Sequence, residues 1–114
     1  MALARKYRLD KKDISRVLKV GKTVRHSFFF IKFLENNSGY MRAAVAIPVK
    51  VSKKSTLRNS LKRIITETLG EMKLRTPFDI VITATPTIVG KLNKEIKRDL
   101  KETINNLYVN ENRN

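Results

Sequence analysis

The strongest constraint on the fold is a nearly continuous apolar run at residues 79–85, which closely follows Pro77. A run of this length and composition is typical of a buried strand. A buried strand needs neighbouring strands and elements that cover it, so other segments of the chain must supply both.

Three other segments are predicted to contribute to the sheet. Residues 28–34 are rich in aromatic side chains and too short for an ordinary helix, which favours a strand. A turn cluster at residues 36–39 separates them from a second strand at residues 40–49, which is predicted to run antiparallel to the first. Residues 22–25 form a shorter candidate strand that leads into the aromatic one.

A short helix is predicted from Lys11 to Val20. Asp10 is suited to cap its first turn, Asp13 stands at the third position as in a capping box, and Gly21 is placed to stop it. Its apolar residues fall on one face of the helix: Ile14, Val17 and Leu18.

Two longer helices are predicted in the second half of the chain. Apolar residues at three- and four-residue spacing indicate a helix over residues 55–69, with Gly70 just beyond its end. A last helix is indicated by Leu92, Ile96, Leu100, Ile104 and Leu107. The prediction is a single α+β domain over residues 1–114, in which helices cover a face of one sheet. Residues 1–10 are expected to be a loosely held basic arm and residues 110–114 a fraying tail.

The charge balance indicates a polyanionic partner. The 25 lysines and arginines outnumber the 10 aspartates and glutamates, which gives a formal net charge of +15 at pH 7. Repulsion among these positive charges opposes folding. The net charge is therefore better explained by a nucleic-acid partner than by a contribution to the stability of the fold. A lysine-rich surface that serves only solubility is the competing interpretation.

The composition also excludes several classes of protein. The chain has no cysteine and one histidine, His26, which argues against a disulfide scaffold, a zinc knuckle and a cysteine nucleophile. It has no run of about eighteen apolar residues that could span a membrane. Residues 1–10 lack the apolar segment of a signal peptide. We therefore expect a cytoplasmic protein with no membrane partner.

The second predicted helix carries its cations on one side. Lys54, Arg58 and Lys62 are four residues apart and stack on one face, while Asn59 and Arg63 form the adjacent row. Like charges at this spacing destabilise an isolated helix, whereas a phosphate backbone would offset the repulsion. An ordinary solvated face is the alternative, although such faces normally mix the two signs of charge.

The aromatic strand has two faces of different character. Alternation places Phe29, Ile31 and Phe33 on one face, which is the natural core face. The other face is predicted to hold Phe28, Phe30 and Lys32. Aromatic planes beside a cation are suited to single-stranded RNA. Packing of these two aromatics beneath the first helix is an equally open interpretation.

No group of side chains in the sequence indicates that the protein itself is a catalyst. Its carboxylates form no close cluster with metal-ligand spacing. The solitary His26 is more often incidental than a general acid or base. Two other functions stay open: a ribosomal or other basic RNA-binding protein without a role in tRNA processing, and a compact metal-dependent ribonuclease.

Residues 57–65 resemble the signature helix of the bacterial ribonuclease P protein family, which carries an Arg-Asn-Arg-x-Lys-Arg motif. Further similarity surrounds this helix at residues 18–22, in the aromatic strand, at residues 43–50 and 78–84, and in the amphipathic last helix. The order and spacing of these segments are more specific than the short motif alone.

The resemblance implies a fold of order αβββαβα, like the second domain of ribosomal protein S5, with a left-handed βαβ crossover. It also implies that the protein binds the catalytic ribonuclease P RNA and the 5′ leader of precursor tRNA, and needs no protein partner. The RNA and its magnesium would perform the hydrolysis, so the protein would be a non-catalytic subunit of an endoribonuclease, without catalytic or metal-ligating residues.

The resemblance also assigns residues to the two RNA partners. The catalytic RNA would contact Lys50, Lys53, Lys54, Arg58, Asn59, Lys62 and Arg63. The leader would lie in a cleft between the first helix and the sheet, formed by Ile14, Leu18, Phe28, Phe30 and Lys32. Departures from the family pattern are Ser60 and Thr66 in place of arginines, and Ile14, Leu18 and Lys32 at positions that are often aromatic.

Overall fold

The computed structural model describes residues 4–72 and 77–111. The elements are α1 (Lys11–Val20), β1 (Lys22–Arg25), β2 (Phe29–Glu35), β3 (Arg42–Ala46), α2 (Ser55–Met72), β4 (Phe78–Ala84) and α3 (Asn93–Glu111). Short 3-10 turns occupy Arg5–Tyr7 and Pro86–Ile88. The order αβββαβα is confirmed, and the four strands form one sheet.

The strand order in the sheet is β1-β2-β4-β3, so the last strand in sequence lies between β2 and β3. Strand β4 is antiparallel to β2 and parallel to β3. The second predicted strand therefore runs antiparallel to the aromatic strand, but the two do not pair with each other. The physical reason is burial: six of the seven β4 residues are buried, and only a position between two other strands protects so apolar a segment.

Helices α2 and α3 cover one face of the sheet and form the main core with it. The predicted core face of β2 is confirmed, because Phe29, Ile31 and Phe33 are all buried there. The helices contribute Leu61, Ile65, Leu69, Ile96, Leu100, Ile104 and Leu107. Leu92 was predicted to share this stripe but is 62% exposed, because α3 begins one residue after it.

Helix α1 covers the opposite face of the sheet. A second, smaller cluster forms there from buried Leu9, Val17 and Val81. Leu9 also donates its backbone N–H to the carbonyl of Ala43 at 3.1 Å, and Arg8 forms a parallel bridge with the same residue. Residues 8 and 9 thus lie along the free edge of β3, in a segment for which the sequence predicted a loosely held arm.

The two ends of α1 are set by local chemistry. The Asp10 side chain accepts a hydrogen bond from the Asp13 N–H at 2.8 Å, as predicted, and this bond lowers the pKa of Asp10. Gly21 ends the helix with an ordinary negative φ of −74°. A Cβ at this position would lie 2.4 Å from the Val17 carbonyl oxygen and 2.9 Å from that of Phe33. Glycine is needed here for the close approach of α1 to β2.

The predicted end of α2 just before Gly70 is wrong, because the helix continues to Met72. Gly70 lies inside the helix, where a Cβ would meet no other atom within 4 Å. The last turn is held against α3 by ion pairs from Glu71 to Lys97 at 3.0 Å and to Lys101 at 3.1 Å. These tertiary contacts outweigh the weak helix propensity of glycine.

The Glu71 pairs predict a pH-dependent contribution to stability. Hydrogen bonds from Lys97 and then Lys101 lower the pKa of Glu71 below the ordinary 4.5. The carboxylate therefore stabilises the fold above that value, and the contribution is lost as the pH falls through the lowered pKa. We expect Glu71→Gln to lower the midpoint of thermal unfolding at pH 7 and low salt, and the deficit to disappear in acid.

The matched control is Glu102→Gln, which removes the charge of an exposed glutamate on α3. It should change the unfolding midpoint less than Glu71→Gln at pH 7. Salt at about 1 M should also reduce the Glu71 deficit, because exposed ion pairs are screened. A deficit that persists unchanged in acid would show that the Glu71 effect does not come from its charge.

Candidate nucleic-acid interface

A groove of about 530 Å³ lies between α1, the edge strand β3 and α2. Its lining combines an apolar part with three exposed cations. The residues that line it are Arg8 and Leu9 before α1, Ile14 of α1, Ala43, Ala44 and Val45 of β3, and Asn59, Lys62, Arg63 and Thr66 of α2. We call this the basic groove.

The amphipathic character of α2 places its polar residues in the basic groove. Leu61 and Ile65 are buried against the sheet, whereas Asn59, Lys62 and Arg63 are exposed. The four-residue spacing of Asn59 and Arg63 stacks them on one face of the helix. The apolar stripe predicted from the sequence is therefore confirmed. Of the predicted cationic row, Lys62 is exposed in the groove, whereas Lys54 lies one residue before the helix and Arg58 is half-buried.

The cations of the basic groove are available to a ligand. Among the side chains of residues 4–72 and 77–107, no carboxylate lies within ion-pair distance of Arg8, Lys62 or Arg63. By contrast, Arg42 and Lys97 are engaged with acidic side chains elsewhere. Unpaired cations beside an apolar surface are suited to phosphate groups, and the planar guanidinium can bind two phosphate oxygens at once.

Arg58 differs from the other cations of α2 because it braces the preceding loop. Its Nη1 atom donates a hydrogen bond to the Ser52 carbonyl oxygen at 2.8 Å, and the side chain is half-buried. The Ser52 hydroxyl oxygen in turn accepts from the Lys54 N–H at 3.1 Å. Arg58 therefore helps to hold the lysine-bearing loop in place and does not line the basic groove.

A buried polar network links β3 to β4 on the face of the sheet that α1 covers. The Asp79 side chain is fully buried and accepts hydrogen bonds from Arg42 Nε at 2.9 Å, Arg42 Nη2 at 2.7 Å and Asn36 Nδ2 at 2.7 Å. Arg42 also lies 3.4 Å from Asp13, and Arg16 lies 3.7 Å from Asp79. The hydrogen bonds to Asp79 raise the pKa of Arg42. The network ties α1 to the strand that supplies the apolar part of the basic groove.

Comparison with known proteins identifies the family of this chain. A model of the ribonuclease P family matches residues 3–108. The chain belongs to the ribonuclease P protein family. The ribonuclease P protein component of Legionella pneumophila (strain Corby) is 33% identical over 95 residues, which cover 83% of this chain and 82% of that protein. The corresponding protein of Synechocystis is 31% identical over 106 residues, which cover 90% and 86%.

A solved structure supports the same assignment at the level of the fold. A mutant of the RNase P protein from Staphylococcus aureus superposes with a TM-score of 0.78 and 25% sequence identity. The match covers 86% of this chain and 85% of the other. The ribonuclease P protein fold predicted from the motif helix is thus confirmed, and the chain is a protein subunit of ribonuclease P by family.

The residues assigned to the catalytic RNA by family resemblance divide into two groups. Asn59, Lys62 and Arg63 line the basic groove. The other four, which do not line it, are Lys50, Lys53, Lys54 and Arg58. The three lysines are exposed in the loop before α2, so they extend the cationic surface beyond the groove.

The predicted leader cleft is only partly assembled in the basic groove. Ile14 lines the groove, but Leu18, Phe30 and Lys32 do not. Leu18 is 43% exposed near the end of α1. Phe30 and Lys32 are half-buried on the face of β2 opposite its core face, as alternation predicts.

The placement predicted for Phe28 is wrong. Its side chain is 5% exposed and belongs to the main core. Phe28 precedes the first residue of β2, so the alternation of the strand does not apply to it. Its ring contacts His26 and Phe29 edge-to-face, with ring centroids 4.9 and 6.5 Å away, and it has no place in a surface cleft.

His26 is engaged in interactions on the α3 side of the molecule. Its Nδ1 atom accepts a hydrogen bond from the Phe28 N–H at 3.0 Å, and its Nε2 atom lies 3.3 Å from Asp99. The described residues contain no group of three or more histidine, cysteine or acidic side chains that could hold a metal ion. In the same ranges, no helix is long and apolar enough to cross a membrane.

Sequence reasoning missed two parts of this site. Arg8 was assigned to a loose arm, although the burial of Leu9 fixes its position. The Asp79 network was also missed, and its only signal was one acidic residue at the start of an apolar run. Buried acids are seldom left without a partner, so that residue could have predicted a cation nearby.

Proposed function

We propose that this chain binds the catalytic RNA of ribonuclease P through α2 and its preceding loop, and holds the 5′ leader of precursor tRNA in the adjoining basic groove. Lys62 and Arg63 of α2 lie where the two RNAs meet and contribute to binding both. The observation that most supports the proposal is the set of exposed cations, Arg8, Lys62 and Arg63, which have no acidic partner among the described residues and flank an apolar strand surface. An unpaired RNA strand offers the complementary features, a chain of phosphates and apolar base faces.

In this proposal the RNA and the protein have different roles, and the role of the protein is electrostatic. The RNA performs the phosphodiester hydrolysis, and magnesium is bound chiefly by that RNA. The protein contributes positive charge that neutralises phosphates where the RNA and the precursor meet. Each phosphate neutralised by a side chain releases condensed counterions, so the protein should lower the magnesium concentration that the assembly requires.

Reconstitution tests the function directly. The protein is mixed with a bacterial ribonuclease P RNA at low magnesium, and precursor tRNA with a 5′ leader is added. We expect the protein to stimulate 5′ cleavage, and only when the RNA is present. Stimulation should be greater for a precursor with a long leader than for one with a single leader nucleotide.

Two outcomes would contradict the proposal in different ways. Cleavage by the protein without RNA would indicate a metal-dependent ribonuclease. RNA binding without stimulation at any magnesium concentration would indicate a basic RNA-binding protein with no role in tRNA processing. Lys94→Ala with Arg98→Ala is a suitable control, because it removes two exposed cations of α3 that do not line the basic groove.

A further inference from the structure

A pair of tyrosines lies next to the basic groove. The rings of Tyr7 and Tyr40 meet edge-to-face, with centroids 5.4 Å apart and planes at 88°. The Lys6 Nζ atom lies 5.0 Å from the Tyr7 centroid and 5.4 Å from the Tyr40 centroid. Both tyrosines are half-buried, so part of each ring is accessible to solvent.

The backbone on both sides of this pair is fixed by the fold. Beyond Tyr7, Leu9 is buried and bonded to the Ala43 carbonyl. Beside Tyr40, its own carbonyl accepts a hydrogen bond from Asn36 Nδ2 at 3.1 Å, and Met41 is buried. The backbone that carries the two rings is therefore held in place before any ligand arrives, which reduces the entropy that binding would cost.

The position of the pair complements the basic groove. Tyr7 directly precedes Arg8, and Tyr40 lies two residues before β3, so the pair is at the end of the groove where β3 begins. The described residues that line the groove are cations, aliphatic residues and two uncharged polar residues, and none of them is aromatic. A nucleic-acid strand in the groove would thus find phosphate ligands there, but no ring on which a base could stack.

We propose that Tyr7, Tyr40 and Lys6 form a stacking subsite for one unpaired base of an RNA strand that leaves the basic groove. The inference rests on the proposed function, because it requires single-stranded RNA in the groove. A base would stack on the accessible face of a tyrosine ring, and the neighbouring phosphate would meet the Lys6 ammonium. Every base has such a face, so the subsite would tolerate different sequences.

Binding assays on the full chain separate stacking from a purely structural role of the tyrosines. Precursor tRNAs are prepared with a native leader, with abasic nucleotides beyond the groove, and with a leader too short to leave it. For Tyr7→Leu with Tyr40→Leu we expect about a tenfold loss of affinity for the native leader. The same variant should bind the abasic and short leaders as the unchanged protein does. Tyr7→Phe with Tyr40→Phe retains both rings and should bind all three leaders normally.

Tyrosine emission gives a second readout that does not depend on the leucine variants folding. The chain has no tryptophan and three tyrosines, and stacking of a base on a phenol ring should quench its emission. We expect the native leader to quench the emission and the abasic leader to quench it less. The phenylalanine variant should lose this difference while it keeps its affinity.

The results distinguish this inference from the proposed function. If Lys62→Ala with Arg63→Ala leaves leader affinity unchanged, the proposed function fails. If that variant loses affinity but the leucine variant binds the native leader normally, only the stacking subsite is overturned. Equal losses by the leucine variant on native and abasic leaders would also overturn it, since the tyrosines would then only pin the residues before α1 to β3.

Discussion

Asp79→Ala is expected to lower the free energy of unfolding by about 3 kcal/mol. The substitution leaves the guanidinium of Arg42 and the amide of Asn36 without the carboxylate that both contact at 2.7 Å. Removing one partner of a buried pair costs more than the pair itself contributes, because the other partner stays desolvated. Urea unfolding followed by circular dichroism, at constant pH and salt, measures the change.

Two further variants test this explanation of the Asp79 effect. Asp79→Asn keeps the shape and a hydrogen-bond acceptor without the charge, so its loss should be smaller. Asp79→Leu with Arg42→Met removes both charges, and we expect it to recover part of the stability lost in Asp79→Ala. A loss below about 1 kcal/mol for Asp79→Ala would show that the network contributes little to stability.

Lys62→Ala with Arg63→Ala is expected to weaken binding to ribonuclease P RNA by about ten- to a hundredfold at low salt. Both side chains are exposed in the basic groove, and neither has a carboxylate partner among the side chains of residues 4–72 and 77–107. If each neutralises one phosphate, the plot of log affinity against log salt should become shallower by about 1.4 to 1.8. Filter binding over a series of salt concentrations gives both quantities.

The α3 variant Lys94→Ala with Arg98→Ala is the charge-matched control for this experiment. It removes the same net charge from exposed positions outside the groove, so its slope should stay close to that of the unchanged protein. Equal slopes for the two double variants would exclude a localised interface. Arg58→Ala is less informative, because it also removes the hydrogen bond to Ser52 that braces the loop.

Structural features that depend on residues close together in the sequence were predictable. The Asp10 cap, the apolar stripe of α2 and the alternation in β2 depend on residues two to four positions apart, and all three were confirmed. The insertion of β4 between β2 and β3 was not predictable in this way. It joins segments more than 30 residues apart, and no local pattern specifies which strands will pair.

The candidate site was predictable to the extent that it lies on one helix. Lys62 and Arg63 were assigned to the cationic side of α2 from their spacing, and both are exposed in the basic groove. Arg8 lines the same groove only because the segment that contains it is paired with β3. In that pairing the Leu9 N–H bonds to the carbonyl of Ala43, 34 residues later in the chain. Phe28 was misplaced because the strand alternation was extended to one residue before the start of β2.

The position of β4 has a consequence for how the protein is made on the ribosome. Every described residue that lines the basic groove precedes residue 67, so all of them are synthesised before β4 exists. Strand β2 can already pair with β1, but β3 pairs with no strand of the sheet other than β4, so β3 has no place in the sheet until β4 emerges from the exit tunnel. A nascent chain that stalls before residue 78 thus carries the complete set of contact residues without the strand that arranges them. Its cations can attract RNA only non-specifically.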